Sequence, residues 1–248
     1  MIKIENTEVV GWEAAIRGMR NPKKSWQLSD SKYNIECDWI SCSECPAKGR
    51  ENCIDEFNLS RVSIGPNDHK LMMTLAKGGP VHAKYRRMIT VYADITAPNY
   101  WWSEYDTYKV GTVANSTSTM HKIHAKEFTL EDFSCENLFA ADDIGGTYYS
   151  KTAEELFTAS DVLEVVIEAL NNYRDLYLKT KDKKYWWQMI QLLPNSYHYQ
   201  RTVMVNYEVL AGIYPMRKNH KLDEWREFCK WVETLPYSEL ITGEGREE

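Results

Sequence analysis

Apolar positions along this chain follow two periods, and the switches between them mark its elements. Residues 2–10 (IKIENTEVV) read as a short strand; after Gly11, Trp12, Ala15, Ile16 and Met19 recur at helical spacing. Pro66-Asn67-Asp68 opens a helix with Leu71, Met72 and Leu75 on one face, and Gly78-Gly79-Pro80 ends it. Residues 86–96 (RRMITVYADIT) alternate, with Ile89, Val91, Ala93 and Ile95 on one side and Thr90, Tyr92 and Asp94 on the other. That pattern predicts a strand with one buried face. Ala97-Pro98-Asn99 is expected to break it and to open an aromatic helix.

The second half is mostly helical in period. Ser160 or Asp161 is expected to cap a long helix with Leu163, Val166, Ile167, Leu170 and Tyr177 on one face. A second helix through Trp186, Met189 and Leu193 stops before Pro194, and an extended QRTVMV segment follows. A helix near residues 206–214 comes next. An amphipathic helix then turns Leu222, Trp225, Phe228 and Val232 inward. From Ile241 the chain (ITGEGREE) reads as a frayed acidic tail.

Two stretches depart from these periods. Residues 21–61 are polar and carry four of the six cysteines, which predicts an insertion within a single 1–248 domain, held by something other than its own core. Cys37, Cys42, Cys45 and Cys53 are spaced C-x4-C-x2-C-x7-C. Thiolates so placed suit tetrahedral Zn²⁺ or an iron–sulfur cluster; four buried, unligated thiols is the other reading. Residues 97–121 place aromatics first, then the small polar run Thr112, Asn115, Ser116, Thr117, Ser118 and Thr119. Such side chains cannot fill an apolar core. They read as a flexible set of donors and acceptors for a phosphate, a sugar or a flavin edge.

A net charge of −6 argues against a non-specific nucleic-acid binder, which needs a basic face, although Lys84, Arg86 and Arg87 form a local basic cluster suited to a small anion. No segment approaches the roughly 20 apolar residues of a membrane span. The amino terminus lacks the plan of a signal peptide, so a cytoplasmic protein with reduced or metal-bound cysteines is expected. Nine tryptophans and sixteen tyrosines supply core, interface or stacking surface. Cys135 and Cys229 read as small apolar fillers. His121 and His124 are spaced as a ligand pair, with no partner carboxylate evident. Asp142-Asp143 before Gly145-Gly146 reads as a turn.

Two segments together resemble the flavin-dependent thymidylate synthases. The first runs helix, Gly78-Gly79, alternating strand, Ala97-Pro98, aromatic helix, then Thr107-Tyr108-Lys109 with Thr117 after seven intervening residues. The family has Arg-His-Arg, seven residues and Ser there. The second segment carries Leu193-Pro194, Val205-Asn206, Leu210, Arg217, His220 and Trp225, like the family's carboxy-terminal pattern. The resemblance covers about two-thirds of the chain and excludes the cysteine-bearing stretch. Of the family's cations only Lys109 keeps a charge in the first motif, without the fork of arginine. Gln200 takes the place of an arginine in the last strand, with Arg201 beside it.

The resemblance implies an α/β (α+β) fold, an antiparallel sheet flanked by helices, and a homo-oligomer, a tetramer, with pockets at subunit boundaries. It implies a small-molecule nucleotide ligand, with FAD as cofactor. Binding residues carried over by position are Arg217, Asn206, His220, Lys109, Tyr108, Asn115, Ser116, Thr117, Ser118 and Arg201. If the chain is an enzyme, the implied reaction is a flavin-dependent methyl or hydroxymethyl transfer to a pyrimidine nucleotide. A catalytically silent binder that sequesters a nucleotide or a nucleotide-derived signal is the competing class, a role that would suit a mobile-element or phage protein. A structural or interaction protein on the same fold is the third.

Overall fold

The alternation at residues 89–95 is realised as the central feature of a four-stranded antiparallel sheet in the computed structural model, which describes residues 1–33, 62–140, 143 and 145–243. The described residues fall into two compact units. The larger comprises Ile2–Ile95, Tyr105–Asn115 and Arg201–Glu248; the smaller comprises Met1, Thr96–Glu104 and Ser116–Gln200.

The sheet contains β1 (Lys3–Val10), β4 (Thr90–Pro98), β5 (Thr112–Ser116) and β8 (His198–Asn206), in the order β1-β4-β8-β5. Its inner face buries Val9, Val91, Ala93, Ile95, Val203 and Val205, and Ile89, just before β4, is buried as well. Its other face is polar. There Asp94 accepts Asn6 Nδ2 at 2.8 Å from β1 and Thr202 Oγ1 at 2.6 Å from β8. Those hydrogen bonds, from Thr202 first and Asn6 second, hold the Asp94 carboxyl below the usual carboxylate range.

Helix α1 (Trp12–Arg20) buries Trp12, Ala15, Ile16 and Met19, as its spacing predicts. Gly11 precedes it at φ 95°, and a Cβ there would meet the Met88 carbonyl oxygen at 2.0 Å, so only glycine fits. Short strands β2 (Lys32–Tyr33) and β3 (Val62–Ser63) pair antiparallel, Lys32 against Ser63 and Tyr33 against Val62. Helix α2 (Pro66–Lys77) begins at the predicted Pro66, and its first amides are satisfied from a distance. Asp30 accepts Asn67 N–H at 2.9 Å and Asp68 N–H at 3.1 Å. Asp68 in turn is buried against Arg20, whose Nε donates at 2.6 Å. The second carboxylate oxygen of Asp68 accepts from the Ser29 and Ser31 hydroxyls and the Asp30 and Ser31 amides, at 2.6–3.1 Å.

Residues 86–88 do not begin the strand: Ala83–Met88 is a 3₁₀ helix. Arg86 faces inward there, donating to Glu208 at 2.7 Å and to the Leu240 carbonyl at 3.0 Å, so it is spent on an internal pair rather than an anion. Ala97 and Pro98 remain in β4, and the aromatic helix α3 (Asn99–Tyr105) follows directly. Helix α7 (Tyr207–Arg217) buries Tyr207, Leu210, Ile213 and Tyr214; helix α8 (Asp223–Thr234) buries Trp225, Phe228, Cys229 and Val232. Ile241 is buried in a last short helix, α9 (Glu239–Thr242), so the frayed tail does not start there.

In the smaller unit, helix α4 (Thr119–Lys122) is followed by the hairpin β6 (Tyr148–Ser150) and β7 (Glu155–Phe157). Helices α5 (Ala159–Thr180) and α6 (Lys183–Leu192) then form a helical hairpin. Ile123, Phe128, Phe133, Leu163, Leu170, Trp186 and Met189 make its core, with Cys135 packed against them. The cap of α5 is Thr158, not Ser160 or Asp161. Thr158 Oγ1 accepts Asp161 N–H at 3.1 Å while Asp161 accepts Thr158 N–H at 2.7 Å, a reciprocal capping box. Thr158→Ala is expected to cost about 1 kcal/mol, measured by urea unfolding against the parent chain. No helix among the described residues is long and apolar enough to cross a membrane.

Candidate functional site

Four of the side chains singled out by sequence meet in the larger unit. Arg217 closes α7, and its Nε donates to the Tyr108 hydroxyl at 2.8 Å. Its Nη1 lies 2.9 Å from His220 Nε2, and His220 Nδ1 accepts the Leu222 N–H at 3.2 Å. The guanidinium rests over the Trp225 ring, 4.5 Å from its centroid, and 5.6 Å from that of Tyr108. Tyr108 and Trp225 meet edge to face at 6.0 Å. Arg217, His220 and Tyr108 are half-buried, whereas Trp225 is fully buried. A planar cation is thus stacked and aimed by its neighbours, an arrangement suited to carbonyl or phosphate oxygens.

Asn206 does other work. It caps α7, its Oδ1 accepting Val209 N–H at 3.0 Å. Gly111, at φ 81°, lies so close that a Cβ would sit 2.9 Å from Asn206 Nδ2. Arg201 pairs with Asp106 at 2.7 Å. Lys109 and Asn115 are exposed.

The small polar run is not a flexible loop throughout: Thr112–Ser116 is strand β5, at the sheet edge. In the smaller unit, Thr117 donates its N–H at 2.9 Å and its hydroxyl at 3.2 Å to the Gln200 carbonyl. Ser118 caps α4 by accepting His121 N–H at 3.3 Å. Ser116, Thr117 and Ser118 are all exposed.

Among the described residues no three His, Cys, Asp or Glu side chains gather as a metal site, and His121 and His124 join none. Cys37, Cys42, Cys45 and Cys53 lie outside the described residues. Burial pushes the Cys229 thiol up to about 11, with the Glu233 charge adding, so this is a core thiol and not a nucleophile. Sequence reasoning placed Trp225 on the inward helix face but missed its second use as the platform for Arg217. A tryptophan eight residues after an arginine across a helix start was the only signal.

The architecture defines a fold class: the chain has the fold of the flavin-dependent thymidylate synthases. It is similar over 98% of its length to 98% of a thymidylate synthase X (ThyX) from Helicobacter pylori solved with FAD and dUMP, at TM-score 0.61 and 14% identity. A second structure of flavin-dependent ThyX from Helicobacter pylori, also with FAD and dUMP, matches at TM-score 0.58 and 14% identity, covering 96% of this chain and 99% of that one. A UMP/dUMP methylase, PolB from Streptomyces cacaoi bound with 5-Br UMP, matches at TM-score 0.53 and 11% identity, covering 99% and 96%. No protein-family model matches the chain, and no curated protein matches it by sequence.

FAD carries a diphosphate, and residues 107–118 offer one cation, Lys109, among hydroxyls and amides. That donor set fits a sugar or base edge and does not fit a diphosphate held through this stretch.

Proposed function

We propose that this chain binds a pyrimidine nucleotide, with Arg217 as the anchor. The observation that carries the reading is the pre-set guanidinium, stacked on Trp225 and held at Nε by the Tyr108 hydroxyl. An arginine already oriented loses little side-chain freedom when a ligand oxygen arrives. His220 and Tyr108 act with it as orienting groups. Lys109 and Asn115 are the proposed sugar and base contacts within the same unit, where Asn206 lies against Gly111 and Arg201 pairs with Asp106; Ser116, Thr117 and Ser118 are proposed contacts on the strength of the family resemblance alone. The structural neighbours hold dUMP or 5-Br UMP, which favours a uracil nucleotide over a purine. The working form is proposed to be a homo-oligomer, a tetramer, with pockets at subunit boundaries.

The test is a thermal-shift titration with dUMP, UMP and an adenine nucleotide as control. A uracil nucleotide at about one hundred times its Kd should stabilise by ~2.7 kcal/mol, raising Tm by roughly 5–10 °C. Arg217→Ala should weaken binding by roughly 10- to 150-fold, the loss of one charge-assisted contact. A melting point that no nucleotide moves would overturn the reading.

A second reading, flavin-dependent one-carbon transfer to that nucleotide, is favoured by the presence of FAD together with dUMP in two neighbours. Oxidised-isoalloxazine absorbance in the purified chain, retained through gel filtration, decides it. Colourless protein after incubation with FAD leaves the silent binder.

A further inference from the structure

The turn between α5 and α6 carries more positive charge than its own N-cap, Asp182 accepting the Lys184 N–H at 3.0 Å, or the proposed nucleotide site uses. Residues 179–187 (KTKDKKYWW) set four lysines, one aspartate and three aromatic rings together in a chain of net charge −6. All four lysines are exposed. Lys184 is tied to Asp182 at 3.1 Å, whereas Lys179, Lys181 and Lys183 pair with no carboxylate of the described residues. Helix stability does not call for this arrangement. Lys183 and Lys184 stand in the first turn of α6, where the helix dipole disfavours cations, and that turn contains no acid.

Aromatic rings lie beside these lysines. Lys183 Nζ lies 5.9 Å from the Trp186 centroid and 5.6 Å from that of Trp187; Lys184 lies 4.8 Å from Tyr185 and Lys181 5.8 Å from Tyr177. Trp187 is 43% exposed on a helix whose other tryptophan is in the core. On the flank, Arg174 reaches the His124 carbonyl at 3.2 Å, and the His124 ring meets Tyr177 edge-on at 4.9 Å.

We propose that this tip binds single-stranded nucleic acid, the lysines meeting phosphates and Trp187 offering a face to a base. Basic groups interleaved with accessible rings are what sequence-tolerant strand binding requires. The occupant follows from charge complementarity and from the shape of the turn. Its leading residues, 180–184, are all polar with an aspartate among them, and Trp187 sits a turn behind, so nothing apolar leads into a bilayer. One short turn with three lysines reaches few phosphates, which suits a flexible strand better than a duplex.

The test uses the full chain and a fluorescein-labelled oligothymidine of about 20 nucleotides, read by anisotropy. Expected is saturable binding whose log–log salt slope is about −2, for three phosphates neutralised. Lys179→Gln/Lys181→Gln/Lys183→Gln and, separately, Trp187→Ala should each weaken it at least about tenfold. Mononucleotide binding should stay unchanged in both variants, and the melting temperature in the lysine variant, which separates this proposal from that of the Arg217 site. No anisotropy change at protein concentrations on the order of 10⁻⁴ M would overturn it. So would undiminished binding by the triple variant, or a response confined to phosphatidylserine vesicles.

Discussion

Asp68→Ala is expected to destabilise the chain by about 3–5 kcal/mol, a fall in Tm of roughly 6–20 °C. Asp68 and Arg20 are both buried, and removing the carboxylate leaves the guanidinium, among the described residues, the Ser25 and Leu28 carbonyls at 3.3 and 3.1 Å to face. It also releases the two hydroxyls and two amides of residues 29–31 that converge on the same group. Burial raises the Asp68 pKa, but the hydrogen bonds from Ser31, Ser29 and Arg20 outweigh it, and the carboxyl is held below the usual range. The unfolded chain therefore binds the extra proton first. Stability from this group is complete above the unfolded pKa and drains away as pH falls below about 4. Urea unfolding at descending pH should show the parent losing more stability than Asp68→Asn over that window. A double variant, Arg20→Met with Asp68→Ala, should cost less than the sum of the two singles, since no charge is left stranded. Additive costs would show that the pair is not the unit.

Trp225→Ala is expected to cost about 3–5 kcal/mol by emptying a fully buried site, and to remove the Arg217 platform as well. Trp225 touches Phe228 edge to face at 5.6 Å and Tyr108 at 6.0 Å, so the cavity would open beneath both the core and the cluster. Two milder variants separate the effects. Trp225→Phe keeps a ring under the guanidinium and should retain part of the nucleotide-induced melting shift. Arg217→Ala leaves the ring in place and should melt near the parent while losing that shift. Calorimetric melts with and without dUMP read both; a full dUMP shift in Trp225→Ala would show that the stacking contributes nothing to binding.

Much of the architecture was legible where burial imposes a period. Val91, Ala93 and Ile95 line the inner sheet face, with Ile89 buried just before β4, and Trp225, Phe228 and Val232 line the inner face of α8, as their spacing predicts. Misreadings arose where a tertiary partner decides. Arg86 reads as the start of a strand until Glu208, 122 positions away, draws it into a 3₁₀ turn. β5 has no alternation to detect, because an exposed edge strand of small polar residues buries neither face. Asp68 reads as an ordinary helix-start residue; its partners at 20 and 29–31 are distant in sequence. In the candidate site, Arg217, His220 and Tyr108 were legible through the family resemblance. Their mutual contacts were not, since side-chain geometry across two separate segments leaves no mark on either one.

The strand order carries a consequence for biogenesis. β8 lies between β4 and β5, yet it is the last of the sheet's four described strands to be synthesised. Throughout translation of the preceding hundred residues, β4 can pair only with β1, and its other edge presents unsatisfied amides and carbonyls beside a row of Ile and Val. Such long-range closure is slow and aggregation-exposed. Chains cut short before residue 198 should therefore collect in inclusion bodies or on chaperones, and the larger unit can reach its native state only after β8 and the helices that follow it have left the ribosome.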